Sequence, residues 1–174
     1  VNRCYLCKKA LFQRLKDFAA QKGVSLILEG TNEDDLHVYR PGLQAIRELG
    51  ILSPLADTGF TKEEVRRLAG ELGVSVASRP STPCLATRLP YGAEIKPEIL
   101  EQIARGEEFL RNAGFAVVRL RLHGDIARIE IPCEKFPEFL EKREEIVKNL
   151  KNMGFSYITL DIQGFRSGSM DENL

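Results

Sequence analysis

The chain has 174 residues, and its 25 lysines and arginines are balanced by 25 aspartates and glutamates. A net charge of zero removes the long-range attraction between a basic protein and nucleic acid, so nucleic acid is not an expected partner. Hydrophobic residues make up 43% of the chain but form no run long enough to cross a bilayer, so no membrane partner is expected. Four cysteines without a signal-like apolar segment predict reduced thiols and a cytoplasmic location.

A helix that carries a Cys-x-x-Cys pair is the first predicted element. Cys4 and Cys7 continue an apolar pattern at spacings of three and four through Leu11, Leu15 and Phe18, which places all five side chains on one helix face. We therefore expect both thiols to point inward. The pair alone is compatible with half of a zinc site, a redox pair, part of a cluster site, or two buried structural cysteines.

A short buried strand over 24–28 and a polar loop after it are predicted next. The loop contains Asn32, Asp34 and Asp35, and open α/β sheets bind ligands at the carboxyl ends of their strands. Oxygen ligands of this kind suit Mg²⁺ held against a phosphate. The alternative is a purely structural turn, because Asp and Asn are also good turn residues.

Two helices follow the polar loop. The first is predicted over 41–49, with a proline at its start and a glycine just past its end. The second begins at a capping box formed by Thr61 and Glu64 and ends before Gly73. This second helix has the clearest start and stop signals in the chain.

Cys84 lies in a proline-rich segment, 77–97, that holds four of the eight prolines. The prolines leave too few unbroken residues for a regular element, so Cys84 is expected on a loop. Arg88 is a candidate fixed cation for a thiolate, persulfide or phosphate, and the alternative is an ordinary loop cysteine near an exposed arginine. The same segment is the predicted domain boundary, which divides the chain into 1–95 and 96–174.

A small α+β domain of three strands and two helices is predicted after this boundary. The predicted order is a helix over 97–112, strands over 115–122 and 126–131, a helix over 137–153 and a strand over 155–162. The two central strands form a hairpin. Alternation assigns one sheet face to the core (Val118, Leu120, Leu122, Ala127, Ile129 and Ile131) and the other to Arg119, Arg121, Arg128 and Glu130. Cys133, at a strand end, is interpreted as structural.

Arginines on the second face of this sheet are candidates for anion binding. Arg119 and Arg121 project in parallel from one strand and, with Glu130 on the paired strand, form a potential anion clamp. Arg166 in the tail adds a third guanidinium, and three converging arginines suggest a phosphorylated ligand. The alternative is a solvated sheet face with paired charges.

Five motifs follow one another along nearly the whole chain. They are Arg-Cys-Tyr-x-Cys-Lys-Lys, Glu-Gly-Thr-Asn-x-Asp-Asp, Tyr-Arg-Pro-Gly, Pro-Cys-Leu-Ala-Thr-Arg-x-Pro-Tyr-Gly and Gly-Phe-Arg-Ser-Gly-Ser. Together they resemble the LarE-type ATP-dependent sulfur transferases of the PP-loop superfamily. The resemblance implies an α/β fold: the C-terminal part of a PP-loop, Rossmann-like parallel-sheet domain, followed by the small α+β domain. It also implies a homo-oligomer.

The resemblance implies a reaction as well. A carboxylate of a pyridinium mononucleotide is adenylated with ATP and Mg²⁺ and then converted to a thiocarboxylate of a nickel-pincer cofactor. Cys84 matches the family's sulfur-delivering cysteine. In members that also have Cys4 and Cys7, the three cysteines are expected to hold a [4Fe-4S] cluster whose fourth iron binds hydrosulfide. Sulfur taken from Cys84 itself would instead leave dehydroalanine after one turnover.

Several polar residues match site positions of the resembled family. Those that match positions for substrate phosphate or metal are Arg119, Arg121, Glu130 and Arg166, with Glu107 or Glu108 near a further acidic position. Asn32 and Asp35 lie in the segment that completes the nucleotide-binding part of the site in that family.

One family motif, the PP-loop Ser-Gly-Gly-x-Asp-Ser, is absent from this sequence. We expect that the chain begins partway through the nucleotide-binding domain, as a fragment, a mis-started reading frame, or one half of a split enzyme whose PP-loop lies on a separate chain. Two rival functions remain open: a PP-loop thiolase acting on tRNA, and a non-enzymatic binding domain stabilised by zinc.

Overall fold

The chain divides into two units, Val1–Ser81 and Thr82–Leu174, in the computed structural model. The structure describes residues 2–79, 82–166 and 169. The division falls inside the proline-rich segment 77–97 but earlier than the predicted 95/96, because Leu85 and Leu89 pack into the core of the second unit. Cys84 and Arg88 therefore belong to the second unit. None of the helices described is both long and apolar enough to span a membrane.

The first unit is mainly helical over its described residues. Its helices are α1 (Arg3–Gln21), α2 (Gly42–Glu48), α3 (Pro54–Asp57) and α4 (Lys62–Glu71), with a 3₁₀ turn over Glu33–His37. The capping box that starts α4 is confirmed, because Thr61 Oγ1 accepts from the Glu64 amide and the Glu64 carboxylate accepts from the Thr61 amide. Gly73 follows with φ 72°, a left-handed conformation that suits glycine after a helix.

The predicted buried strand over 24–28 is wrong. Among the described residues of the first unit, the segment forms a single parallel bridge, between Leu28 and Leu52. Val24, Leu26 and Leu28 are 50 to 57% exposed. An extended segment buries its side chains only when neighbouring strands and a covering layer pack on it, and a single bridge does not provide them.

The thiols of α1 point outward, so the prediction that they face inward is also wrong. Cys4 and Cys7 are exposed, as are the other members of their stripe, Leu11, Leu15 and Phe18. The helix meets α2 through different side chains, because Tyr5 Oη donates to Glu48 Oε2 at 2.7 Å and Lys9 Nζ donates to the same oxygen at 2.8 Å.

Over its described residues, the second unit contains a mixed three-stranded sheet and three helices. Its elements are α5 (Pro97–Asn112), β1 (Arg119–His123), β2 (Ile126–Glu130), α6 (Phe136–Glu141), α7 (Arg143–Asn152) and β3 (Tyr157–Leu160), with 3₁₀ turns over Leu85–Arg88 and Cys133–Lys135. The hairpin is confirmed: β1 pairs antiparallel with β2, which pairs parallel with β3 on its other side. The helix predicted over 137–153 is two helices, which meet at Lys142.

One face of this sheet lies in the core, as the alternation predicted. Val118, Leu120, Ala127, Ile129 and Ile131 are fully buried, and Leu122 is partly buried against them. Helix α5 crosses close to this face at a glycine. A Cβ at Gly106 would lie 2.8 Å from Leu120 Cδ1, so the glycine sets the distance between helix and sheet. The α/β class is confirmed, and a PP-loop domain stays a prediction.

Candidate functional site

The second face of the sheet carries charged side chains, as predicted. The strand register places Arg119 opposite Glu130 and Arg121 opposite Arg128. Because side chains alternate between faces, these four residues all lie on the side away from the apolar core. The structure therefore brings together three of the arginines and the glutamate that the sequence pattern placed on one face.

Glu130 lies at the centre of this face and is 0% exposed. Arg121 Nε and Nη2 donate to its two carboxylate oxygens, each at 3.1 Å. Arg128 Nη2 donates at 3.0 Å and Ser169 Oγ at 2.6 Å. A buried carboxylate is costly unless it is paired and hydrogen-bonded, and Glu130 has both. Because Arg121 is also buried, the alternative of a solvated sheet face is wrong for this pair.

A second buried ion pair joins the Cys84 loop to α5. Arg88 Nε and Nη2 donate to the carboxylate of Glu107 at 2.6 and 3.0 Å. The same carboxylate accepts from the Leu120 amide at 3.1 Å, which connects it to β1. The contacts of the Arg88 guanidinium are with Glu107, Thr87 Oγ1 and the Pro83 carbonyl. A catalytic role for Arg88 stays a prediction.

Cys84 is exposed and lies directly before the 3₁₀ turn Leu85–Arg88. Its carbonyl accepts from the Thr87 amide at 2.9 Å and from Thr87 Oγ1 at 2.7 Å. Arg121 Nη1 donates to the Thr87 carbonyl at 2.8 Å, which fixes the loop to the charged face of the sheet. The exposed thiol, the buried ion pairs and the arginine-rich face thus belong to one assembly within the second unit.

An open pocket of about 380 Å³ lies at the edge of this face beside β3. Two guanidiniums share one carboxylate there, since Asp161 Oδ2 is 3.5 Å from Arg128 Nη1 and 3.6 Å from Arg166 Nη2. The remaining lining residues are Thr159, Leu160, Ile162 and Gln163. Positive charge exceeds negative charge in this lining, which favours an anionic ligand.

Arg119 is the arginine of this face with the least charge compensation. Its Nη1 donates to the Val118 carbonyl at 2.8 Å, and its guanidinium carbon lies 5.3 Å from the centre of the Phe165 ring. Burial lowers the pKa of Arg119, and the positive charges of Arg88 and Arg121 lower it further, whereas the negative charges of Glu107 and Glu130 oppose them. The residues that the structure describes place no carboxylate in direct ion-pair contact with it, so its charge favours binding of an anion.

The polar loop of the first unit has structural contacts at each predicted site residue. Asn32 and Asp35 form a reciprocal capping box on the 3₁₀ turn that follows. Asp35 also pairs with Arg40 at 2.7 Å, and Asp34 Oδ2 accepts from the Lys62 amide at 2.7 Å. The structural alternative for this loop is therefore seen, and binding of Mg²⁺ or nucleotide by these residues stays a prediction.

The predicted cluster ligands fall in both units. Cys4 and Cys7 are exposed, unpaired thiols three residues apart on α1, and Cys84 is an exposed thiol of the second unit. Thiolates are the ligands that iron–sulfur clusters use, and neighbouring exposed cysteines fit two of the positions. Within either unit, the described residues contain no group of three or more His, Cys, Asp or Glu side chains arranged around a metal position.

Comparison with known proteins places the chain among its relatives. No protein-family model matches it. It is 40% identical over 98% of its length to the pyridinium-3,5-bisthiocarboxylic acid mononucleotide synthase of Lactiplantibacillus plantarum. The chain is a homologue of this synthase. The resemblance drawn from the five sequence motifs is thereby confirmed.

Two further relatives of the chain are uncharacterised proteins. One, from Synechocystis, is 42% identical over 99% of the chain, and one, from Methanocaldococcus jannaschii, is 37% identical over 95%. The chain spans 62 to 65% of the length of these three curated relatives.

Sequence analysis did not identify three residues of this assembly, which are Asp161, Thr87 and Ser169, and did not identify the pairing of Arg88 with Glu107. Asp161 was predictable, because alternation along β3 places it on the charged face with Thr159. The pairing of Arg88 with Glu107 joins residues 19 positions apart, and no local pattern links them. The roles of Thr87 and Ser169 depend on long-range contacts with Arg121 in the same way.

Proposed function

We propose that the protein is an ATP-dependent sulfur transferase that converts the carboxylates of a pyridinium mononucleotide to thiocarboxylates for nickel-pincer cofactor synthesis. The observation that carries the proposal is the 40% identity, over 98% of the chain, to a synthase named for the bisthiocarboxylic acid mononucleotide. The activity is proposed for the protein as a whole, because the chain corresponds to 62% of that synthase.

Arginines of the second unit would bind the phosphate of the mononucleotide. Arg128 and Arg166 line the open pocket at the edge of the charged face, and Arg119 lies on the same face. Guanidinium groups match phosphate oxygens in planar, bidentate geometry. Asp161 holds Arg128 and Arg166 near each other, so less side-chain freedom is lost when an anion binds. These contacts would hold the substrate beside the Cys84 loop of the same unit.

Sulfur transfer to a carboxylate requires activation first, because a carboxylate oxygen is a poor leaving group. Adenylation transfers AMP from ATP to that oxygen and releases pyrophosphate, and a sulfur nucleophile then displaces AMP, which leaves with the oxygen. We assign the delivery of sulfur to Cys84. We assign the binding of the nucleotide and Mg²⁺ to Asn32, Asp34 and Asp35. A [4Fe-4S] cluster held by Cys4, Cys7 and Cys84 would supply renewable sulfur, whereas transfer of the Cys84 sulfur itself would consume the cysteine.

Anaerobic purification with metal and sulfide analysis tests the sulfur source. Wild type and Cys133→Ser are expected to contain about four irons and four acid-labile sulfides, and Cys4→Ser, Cys7→Ser and Cys84→Ser are expected to lose them. Mass spectrometry of the mononucleotide, incubated with Mg-ATP and sulfide, should show replacement of oxygen by sulfur.

Other results would favour the alternatives. Zinc in place of iron, without a change in the mononucleotide, would support the zinc-stabilised binding domain. Sulfur found on tRNA instead of the mononucleotide would support the tRNA thiolase. No metal, together with loss of the Cys84 sulfur after one turnover, would identify Cys84 as the donor.

A further inference from the structure

The main chain around Cys84 is held on both sides by arginine side chains. Before the cysteine, Arg88 Nη1 donates to the Pro83 carbonyl at 3.4 Å. After it, Arg121 Nη1 donates to the Thr87 carbonyl at 2.8 Å. Between these points, the Thr87 amide and hydroxyl both donate to the Cys84 carbonyl, and Arg88 Nη1 donates to that hydroxyl at 2.9 Å.

Both guanidiniums are themselves fixed by buried carboxylates. Arg88 is 1% exposed and forms a bidentate pair with Glu107 of α5. Arg121 forms a bidentate pair with Glu130 of β2. A bidentate pair fixes the plane of a guanidinium as well as its position. The loop is therefore located by a regular helix and a regular strand, while the thiol that it carries stays exposed.

We infer that Arg88 is a positioning residue for the Cys84 thiol and acts through the Pro83 carbonyl and the Thr87 hydroxyl. Its hydrogen bonds go to Glu107, Thr87 and Pro83, and none goes to the cysteine sulfur. The inference rests on the proposed function in so far as Cys84 is the site of sulfur chemistry. It depends on the planar fork of arginine, which contacts three partners at once, and not on positive charge alone.

Hydrogen exchange tests the support of the loop independently of any reaction. The variants are Arg88→Lys, which keeps the charge but removes the fork, and Thr87→Val, which removes the hydroxyl but leaves the Arg88–Glu107 pair intact. We expect exchange of the Thr87 and Leu89 amides, which bond within the 3₁₀ turn, to become about tenfold faster in both. Thr87→Ser keeps the hydroxyl and is expected to exchange at the wild-type rate.

Arg143→Lys is the matched control for Arg88→Lys, because Arg143 is 62% exposed and pairs with Glu144 on the surface of the same unit. It is expected to leave exchange in the turn unchanged. Wild-type exchange in a folded Arg88→Lys variant would overturn the inference, whatever the rate in Thr87→Val. If Arg88→Lys fails to fold, wild-type exchange in Thr87→Val would overturn the route through the Thr87 hydroxyl.

Steady-state kinetics of thiocarboxylate formation then separate positioning from a charge effect. A misplaced reactive group is expected to lower kcat by about 100-fold in Arg88→Lys, with the KM for the mononucleotide unchanged. Full activity of Arg88→Lys would show that charge alone is sufficient and would contradict a positioning role. If wild type forms no thiocarboxylate, the proposed function fails, whereas the exchange experiment still decides whether Arg88 orders the loop.

Discussion

Glu107 and Glu130 are as deeply buried as the leucines around them. Each carboxylate faces a guanidinium in a bidentate pair and accepts a further hydrogen bond, from the Leu120 amide or from Ser169. Removing one partner of such a pair leaves an uncompensated buried charge, which is far more costly than the loss of a surface pair. The two pairs therefore limit which substitutions the charged face tolerates.

Glu130→Gln keeps the size of the side chain but removes the charge opposite Arg121. We expect it to lower the free energy of unfolding of the second unit by about 3 to 5 kcal/mol, because Arg121 stays buried without its counter-ion. Urea denaturation measures the change. The control is Glu144→Gln at a side chain that is 87% exposed, for which a change within about 0.5 kcal/mol is expected. Equal effects of the two substitutions would contradict the argument.

His123 makes the stability of the second unit dependent on pH. Burial lowers its pKa from 6.5, the positive charges of Arg128 and Arg121 lower it further, and Glu130 opposes them. Because the folded protein binds this proton less tightly than the unfolded chain, the contribution of His123 to stability is fully present above the pKa that the histidine has in the unfolded chain. That stability is lost as the pH falls through the lowered pKa.

We expect the free energy of unfolding to decrease from about pH 7.5 to about pH 5.5. The decrease should be smaller in His123→Gln than in wild type. Urea denaturation at several pH values gives the comparison. The same pH dependence in wild type and His123→Gln would show that other groups cause it.

At the scale of elements, two glycines in helices have opposite surroundings. A Cβ at Gly106 of α5 would meet Leu120 at 2.8 Å and Phe155 at 3.2 Å, whereas a Cβ at Gly70 of α4 would meet nothing within 4 Å. Gly70→Ala is expected to stabilise the protein by about 0.5 to 1 kcal/mol, through the ordinary preference of helices for alanine. Gly106→Ala is expected to destabilise it by about 1 to 3 kcal/mol through overpacking.

Thermal or urea unfolding of the two alanine variants measures this difference. Stabilisation by Gly106→Ala would show that α5 moves away from the sheet at little cost, and that the close approach at this glycine does not limit packing.

Capping residues and prolines in the sequence correctly predicted where helices begin. The capping box at Thr61 and the proline at position 97 locate the starts of α4 and α5, because caps and prolines act within one turn. Alternation likewise located Arg121 and Glu130 on one face. Helix periodicity shows which residues share a face but not which face another element covers, so the outward thiols of Cys4 and Cys7 were not predictable from it.

At the scale of the whole molecule, the two units have unequal cores. The buried apolar residues of the first unit include Ala45, Ile46, Ile51 and Ala56, whereas the second unit has a continuous cluster around its sheet. Stability varies within a protein with the amount of packed apolar surface. We therefore expect the first unit to unfold at lower denaturant concentration and its amides to exchange faster.

Ile103→Ala tests whether the units unfold separately. Ile103 is fully buried in the cluster of the second unit, so its truncation is expected to lower the stability of that unit by about 2 to 5 kcal/mol. If the units unfold separately, amides of the first unit should keep their exchange rates. A single transition that shifts as a whole would instead show that the two units unfold together.

The order of the strands has a consequence for how the charged face assembles during folding. Strands β1 and β2 are joined by a two-residue turn at Gly124, whereas β3 reaches β2 only after α6 and α7 have crossed over. A hairpin closes within about 1 to 10 μs, and a parallel pairing over a long connection is slower because more chain entropy is lost. Arg121 and Glu130 should thus meet early, and Asp161 should join them only when the crossover is complete.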